Sequence, residues 1–404
     1  MTQKIYIKNP YLTELHAKIV SNEYRNGKFY IKLNRTIFYP HMAGGQPRDK
    51  GKINNIPVVD VYEKKGEIIH VLQDNPLDND VNLSIDWNTR LEHMQSHTGQ
   101  HILSASFHKI LNVNTISFHI GNNTTYIDVD SSYISNKDLE RVESFANYIL
   151  FSNFKINSYY VDKYEASNLP LRNSPSVESN IRIVEIDNLD FSPCGGTHHR
   201  RTAEVGIIKI LKTSKIKDYI RIEFNCGYKA LKDYRSKNHI VNNISQTLAI
   251  SNKDIIPNIN KLIETRESLD KENNLITSKL LDLKQRELEY HSANYKGFII
   301  ISDILNDYTF DNIRNLVLSL TDNDDTIVLL GLEKSDKSQI IIGQSSNIDI
   351  GIKQIFNDLI NNMDGKGGGN NNVYQGGTHK ENVIYETLKL GLEKIKTNID
   401  RAVK

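Results

Sequence analysis

The chain has 404 residues, 38% of them hydrophobic and 25% charged, and its 50 Lys and Arg against 49 Asp and Glu leave a formal net charge of +1. That length supports two or three domains with a sizeable core, and the balance excludes a chain driven onto nucleic acid or membrane by whole-molecule charge. Two cysteines are too few for a disulfide framework, no apolar run approaches the roughly 18 residues of a membrane span, and Met1-Thr2-Gln3-Lys4-Ile5 lacks a signal-peptide core. The expectation is a cytoplasmic protein with no membrane partner.

In chain order, residues 4–88 read as short strands. Ile5-Tyr6-Ile7, Phe29-Tyr30-Ile31 and Thr36-Ile37-Phe38-Tyr39 are apolar or alternate, and Asn54-Asn55 and Lys65-Gly66 mark hairpin turns. This predicts a small β-barrel-like domain over residues 1–90. Its loop at residues 39–51 contains Gly44-Gly45-Gln46. Paired glycines let backbone N–H groups approach a ligand, and Gln46 offers both a donor and an acceptor. A plain turn between strands fits the same residues.

Residues 91–236 mix helices and strands, an α+β pattern. Residues 89–111 contain no Pro, and Leu91, Met94, His97, His101 and Ala105 recur at helical spacing. His97 and His101 then stack one turn apart on one face, the spacing of the helical zinc motif H-E-x-x-H without its Glu. His93 lies one turn earlier. About 12 Å of helix rise between His93 and His101 prevents all three from sharing one ion, so spacing leaves the 93/97 and 97/101 pairs both open. Residues 117–120 and 125–129 read as a hairpin, and residues 136–154 as a helix. His119 on that hairpin is more simply structural than a ligand. A strand at 181–186 delivers the chain to Cys194-Gly195-Gly196-Thr197-His198, where Pro193 and the paired glycines predict a tight loop. A thiolate with imidazoles suits zinc. A His pair alone is often core, and the glycine loop alone is often a turn; the two together point to one metal. Cys226 reads as a small buried hydrophobe. Strands follow at 207–211 and 219–224. Between residues 200 and 235 basic side chains, Arg200, Arg201 and Arg221 among them, outnumber acidic ones, which suits either a phosphate-tracking patch or a solvated face.

Residues 237–292 form a predicted helical or coiled-coil arm. Leu262, Leu269, Ile276 and Leu283 repeat every seven residues, but Arg266, Asn273 and Glu287 interrupt the partner positions. Such a broken heptad fits a homodimer or an intrachain hairpin equally. Residues 293–404 read as an α/β domain, with buried strands at 298–301, 326–330 and 339–342 and helices at 311–320, 351–361 and 381–400. Gly365-Lys366-Gly367-Gly368-Gly369-Asn370 and Tyr374-Gln375-Gly376-Gly377 read as glycine-dense loops. Such loops present amides to phosphate or serve as linkers, and the G-K-[ST] ending of a Walker loop is missing. The fold class is multidomain α+β.

His97-x-x-x-His101 with Cys194-Gly195-Gly196-Thr197-His198 resembles the editing domain of alanyl-tRNA synthetases and the freestanding alanyl-tRNA editing proteins. Gly44-Gly45-Gln46-Pro47-x-Asp49-x-Gly51 matches that family's glycine-rich segment, and Arg221-Ile222-Glu223-Phe224 followed by Gly227 matches its closing strand. Gly367-Gly368-Gly369 and Gln375-Gly376-Gly377 resemble the C-terminal tRNA-binding domain of those synthetases. The aminoacylation domain is expected to be absent. The resemblance selects the 97/101 pair and implies Zn²⁺ held by His97, His101, Cys194 and His198. It also implies hydrolysis of tRNA(Ala) mischarged with serine or glycine. Gly44, Gly45 and Gln46 are then expected at the reacting ester, and Asp49, Arg200, Arg201, Arg221, Lys366, Gly367, Gly368, Gly369, Gln375, Gly376 and Gly377 at substrate or tRNA. Two rival readings are a tRNA-binding or dimerising protein with a structural zinc, and a zinc hydrolase of small esters or amides.

Overall fold

Three two-residue turns, Asn26-Gly27, Asn54-Asn55 and Lys65-Gly66, have positive φ at both positions. Turns of that hand match the twist of paired strands, and they fold residues 14–85 into antiparallel hairpins. In the computed structural model, which describes residues 1–402 except 42–44, 122–123, 176, 188 and 371, those hairpins close into a six-stranded barrel. Its strands run in the order Glu14–Arg25, Lys28–Leu33, Glu67–Leu72, Ile56–Lys64, Gly51–Ile53 and Asp80–Ile85. Inward positions such as Ile31, Leu33, Val61, Ile68, Leu72 and Leu83 fill it. The triplet Ile5-Tyr6-Ile7, expected as a strand, is instead part of a helical turn, Ile5–Lys8. That turn buries Tyr6 edge-on against Tyr39 (centroids 5.3 Å apart). Three apolar residues carry no period of their own, so packing decided the outcome.

The chain divides into two units, Met1–Asn252 and Lys253–Lys404. Beside the barrel, the first unit holds the helix Trp87–Leu111, here the site helix. Asp86 caps it by accepting from the Thr89 N–H (3.0 Å), and Asn112 ends it in the left-handed region. Residues 93–107 are all buried, so this helix is packed on every side rather than being amphipathic. It packs on the helix Asn136–Phe151 and on an antiparallel sheet ordered Ile208–Ile216, Tyr219–Cys226, Thr125–Val129, Thr115–Ile120. Ile102, Leu103, Phe107, Ile127, Val142, Ile149, Ile222 and Phe224 form the shared core. A three-stranded antiparallel sheet, Ile156–Val161, Ile181–Ile186 and Asp190–Pro193, carries the chain to Cys194. The expected arm is two helices: Gly227–Leu248 in the first unit and Ile255–Tyr290 in the second.

The second unit is a six-stranded mixed sheet whose one parallel pair is Phe298–Ile304 with Thr326–Lys334. Alternation puts Val328 and Leu330 against the helix Phe310–Leu320 on one face. Ile327 and Leu329 meet the helices Ile352–Asn362 and Ile384–Ala402 on the other. The glycine-dense stretches expected as loops are instead the strands Lys366–Asn370 and Val373–Thr378. They form a hairpin whose second strand pairs with Lys337–Gln344. Glycine's weak strand preference yields here to backbone hydrogen bonding along an existing sheet edge.

Candidate metal centre

The site helix presents His97 and His101 from successive turns, their ring centroids 5.3 Å apart. The opposing loop is shaped by Arg182, whose guanidinium donates to the carbonyls of Cys194 (2.8 Å) and Gly196 (2.9 Å). Its own carbonyl accepts from the Cys194 N–H (2.9 Å). Folding brings Cys194 Sγ to 3.3 Å from His97 Nε2 and 3.2 Å from His198 Nε2. The donor atoms of His97, His101, Cys194 and His198 all lie within 4.8 Å of one another. The loop comes this close because residue 196 is glycine: a Cβ there would stand 2.0 Å from His97 Cε1.

Two of the imidazoles have a hydrogen-bond partner at the other nitrogen, and the third faces a carboxylate. His97 Nδ1 lies 3.0 Å from Gln46 Oε1, His198 Nδ1 lies 3.3 Å from Thr98 Oγ1, and His101 Nδ1 lies 3.6 Å from Asp190 Oδ2. Asp190 is clamped in turn by Arg172 Nε (2.8 Å) and the Ser192 hydroxyl (2.8 Å). Outer partners of this kind orient metal-ligating histidines. Both ring nitrogens of His101 are buried with no hydrogen-bond partner. Around tetrahedral zinc, N and S donors stand roughly 3.3–3.7 Å apart, close to the sulfur–nitrogen separations here. Three imidazoles, one thiolate and an orphaned ring nitrogen therefore fit a zinc-like ion. His93, one turn back, is buried outside this group.

Cys194 and His198 are shifted toward the forms a metal binds. Burial opposes ionisation of Cys194, but the imidazoles of His97, His101 and His198 around it outweigh that and hold the thiol well below its ordinary range. Burial, with help from His97 and His101, lowers His198 to about 3, against the opposing pull of Cys194, and keeps the ring neutral. Burial would lower His101 too, yet Asp190 and Cys194 raise it.

A cavity of about 730 Å³ opens over His101 and Cys194, walled by Gly45, Thr115, Phe118 and Arg172 among others. Gln100 also lines it, Nε2 donating to Ser104 Oγ (2.9 Å) and Oε1 buried without a partner. Gly45 has φ 78°, and a Cβ there would meet the Phe118 ring at 2.5 Å. Gly44 lies outside the described residues.

Other expected site residues are placed elsewhere. Gln46 is buried and does not line the cavity. Asp49 is fully buried on Arg90. Arg221 pairs with Asp128 (2.8 and 2.9 Å) and lies over the Tyr126 ring. Arg200 covers the Tyr11 ring, and Arg201 donates to the Asn153 carbonyl (3.2 Å). Both are exposed. His119 stacks on Tyr126. Lys212 and Lys215 lie on the edge strand Ile208–Ile216, where lysines also blunt edge pairing. In the second unit Lys366, Gly367, Gly368, Gln375, Gly376 and Gly377 line a cavity of about 370 Å³ with Lys337 and His379. Gly369 shares their strand but not the cavity.

Sequence reasoning missed Arg90, Arg172, Asp190 and Gln100. Arg90 and Gln100 had a local signal, both lying on the helix of His97 and His101, Arg90 seven residues before His97 on the same face. The others depend on chain segments that meet only in the fold.

Residues 181–223 match the model of the threonyl and alanyl tRNA synthetase second additional domain. The chain is 33% identical over 413 residues to an alanyl-tRNA editing protein, AlaX-L, of Pyrococcus horikoshii, covering 99% of this chain and 100% of that protein. It is 25% identical over 411 residues to an alanine–tRNA ligase of Methanococcus maripaludis and 28% over 390 residues to that of Pyrococcus abyssi. The alignments cover 96% and 93% of this chain but only 43% and 42% of those ligases. The C-Ala domain of Aquifex aeolicus alanyl-tRNA synthetase aligns over 26% of this chain and 97% of its own, at 23% identity and a TM-score of 0.24, too low to bear on the fold. With nearly every residue of both proteins aligned to the Pyrococcus horikoshii relative, the chain belongs to the alanyl-tRNA editing protein family.

Proposed function

We propose that this chain is an aminoacyl-tRNA hydrolase that acts in trans on tRNA(Ala) mischarged with serine, and also with glycine, through zinc held by His97, His101, Cys194 and His198. The observation that carries the reading is the cluster of three imidazoles and a low-pKa thiol at the floor of an open cavity. The chemical need is plain. A synthetic site shaped for alanine cannot strongly reject a side chain that adds only a hydroxyl, nor exclude glycine, so a second site that hydrolyses the wrong ester restores fidelity.

Zinc held there would polarise the ester carbonyl and lower the pKa of a water. The remaining steps belong to the chain. His101 and Cys194 line the cavity, so substrate reaches the centre from their side. Gly45, free of a side chain, lets the ester approach the floor. Gln100 Oε1, the unpaired acceptor, takes the serine hydroxyl. An alanyl or a glycyl ester leaves that acceptor unpaired, so Gln100 favours serine over both by about 1–3 kcal/mol. Arg200 and Arg201, exposed beyond His198, and Lys337 and Lys366 on the second unit would contact tRNA phosphates. Asp49 and Arg221, both in internal ion pairs, would brace the fold instead. The exposed Leu262, Leu269, Ile276 and Leu283 favour a second copy of the chain as a partner of the arm. The free Cys194 and Cys226 suit a reducing cytoplasm. No helix among the described residues is long and apolar enough to cross a membrane.

The test measures zinc per chain and hydrolysis of Ser-tRNA(Ala), Gly-tRNA(Ala) and Ala-tRNA(Ala). Turnover of the seryl ester well above the alanyl ester is expected, with Cys194→Ala nearly inactive. A Cys194→Ala protein as fast as wild type would reject the reading. Binding of tRNA without deacylation would favour a structural metal.

A further inference from the structure

The barrel loop and the site helix run side by side. Gln46 and Asp49 are three residues apart, and each meets the helix: Gln46 at His97, Asp49 at Arg90. Positions 90 and 97 are two turns apart on one face, about 10.5 Å of rise, which three extended residues just span. The stretch is therefore drawn out along the helix and pinned at both ends. At the Gln46 end every polar atom has work. Oε1 accepts from the His97 Nδ1–H (3.0 Å) and the Thr197 backbone N–H (3.1 Å), and Nε2 donates to the Thr197 hydroxyl (2.9 Å). One buried amide thus joins the barrel to both ligand-bearing elements.

The chemistry at His97 follows from donor and acceptor rules. A neutral imidazole carries its proton on one nitrogen. An amide oxygen can only accept, so opposite Nδ1 it selects the Nδ1–H form. The Nε2 lone pair is then left toward Cys194 and the centre. Turned the other way, the amide would set its NH₂ group against the Thr197 backbone N–H, a donor–donor contact, so the backbone fixes which way the amide points.

We propose that Gln46 is a positioning residue: it fixes the tautomer and ring angle of His97 and so sets the affinity of the centre for its metal. The inference rests on the metal reading above, and the zinc content of the wild-type chain tests that reading separately.

The experiment uses the full-length chain, with zinc affinity read by competition against a chromophoric chelator and ligand geometry read from the Co²⁺-substituted visible spectrum. Gln46→Leu is expected to weaken zinc binding roughly 10- to 100-fold and to perturb the Co²⁺ spectrum. Gln46→Glu, which keeps an acceptor facing Nδ1–H, restores most of the affinity. If wild type binds zinc and Gln46→Leu binds it within twofold, or if Gln46→Glu restores nothing, the proposal is overturned. A purely structural residue would lower the unfolding midpoint while leaving affinity and spectrum unchanged. Should Gln46→Leu fail to fold, ¹⁵N NMR of the metal-free wild-type chain decides: His97 protonated on Nδ1 supports the proposal, and protonation on Nε2 ends it.

Discussion

Asp49 and Arg90 face each other with both side chains fully buried. Arg90 also donates to the carbonyls of Pro10 (2.7 Å) and Ile37 (2.6 Å), and Asp49 accepts from the Tyr39 N–H (2.6 Å). The pair ties the barrel loop to the helix that carries His97. With its remaining donors and acceptors satisfied, it escapes much of the desolvation cost that makes buried ions unfavourable.

Removing one partner should therefore be severe. Asp49→Asn leaves a buried guanidinium without its countercharge and is expected to cost about 3–5 kcal/mol, read from urea unfolding of the purified chain. A loss below about 1 kcal/mol would mean that the backbone carbonyls suffice for Arg90.

The two glycines between Cys194 and His198 should behave differently. Gly196→Ala places a methyl 2.0 Å from His97 Cε1, whereas a Cβ at Gly195 meets nothing within 4 Å. Gly196→Ala is expected to lose at least tenfold in deacylation of Ser-tRNA(Ala) by displacing His97, and Gly195→Ala to stay within about threefold. Equal kinetics for the two variants would contradict the loop geometry.

The carboxylate of Asp190 faces His101 Nδ1 at 3.6 Å. Asp190→Asn removes the charge facing both His101 and Arg172, and zinc affinity should fall about 10-fold or more by chelator competition. Unchanged affinity would show that the 3.6 Å approach contributes nothing.

The barrel carries its own pH dependence. His70 is fully buried, Nδ1–H donating to the Ile31 carbonyl (3.3 Å) and Nε2 accepting from the Thr36 hydroxyl (2.8 Å). Burial pulls it from 6.5 to about 4, partly offset by the Ile31 bond. Between those values the unfolded chain binds a proton that the folded chain refuses, so stability is lost as pH falls from about 6.5 to about 4. The contribution approaches about 3 kcal/mol at the acid end. Comparing urea unfolding of wild type with His70→Gln across that window isolates it. Parallel stability curves would show that His70 is not the group responsible.

What the amino-acid order determined alone was local. Four-residue spacing with no proline put His97 and His101 on one face, because a helix returns to the same side every 3.6 residues. Pro193 and the paired glycines marked residues 194–198 as a loop, and alternation marked Ile181–Ile186 as a strand. The tertiary structure decided everything that depends on segments far apart in sequence. It left His93 outside the cluster, turned Asp49 inward to Arg90, stacked Arg221 on Tyr126 and brought Asp190 beside His101. It made a paired hairpin of glycines that have no strand preference of their own. Spacing along one element reports which way a side chain points; which group waits there depends on the packing of whole elements, and that information is spread over residues tens to hundreds of positions away.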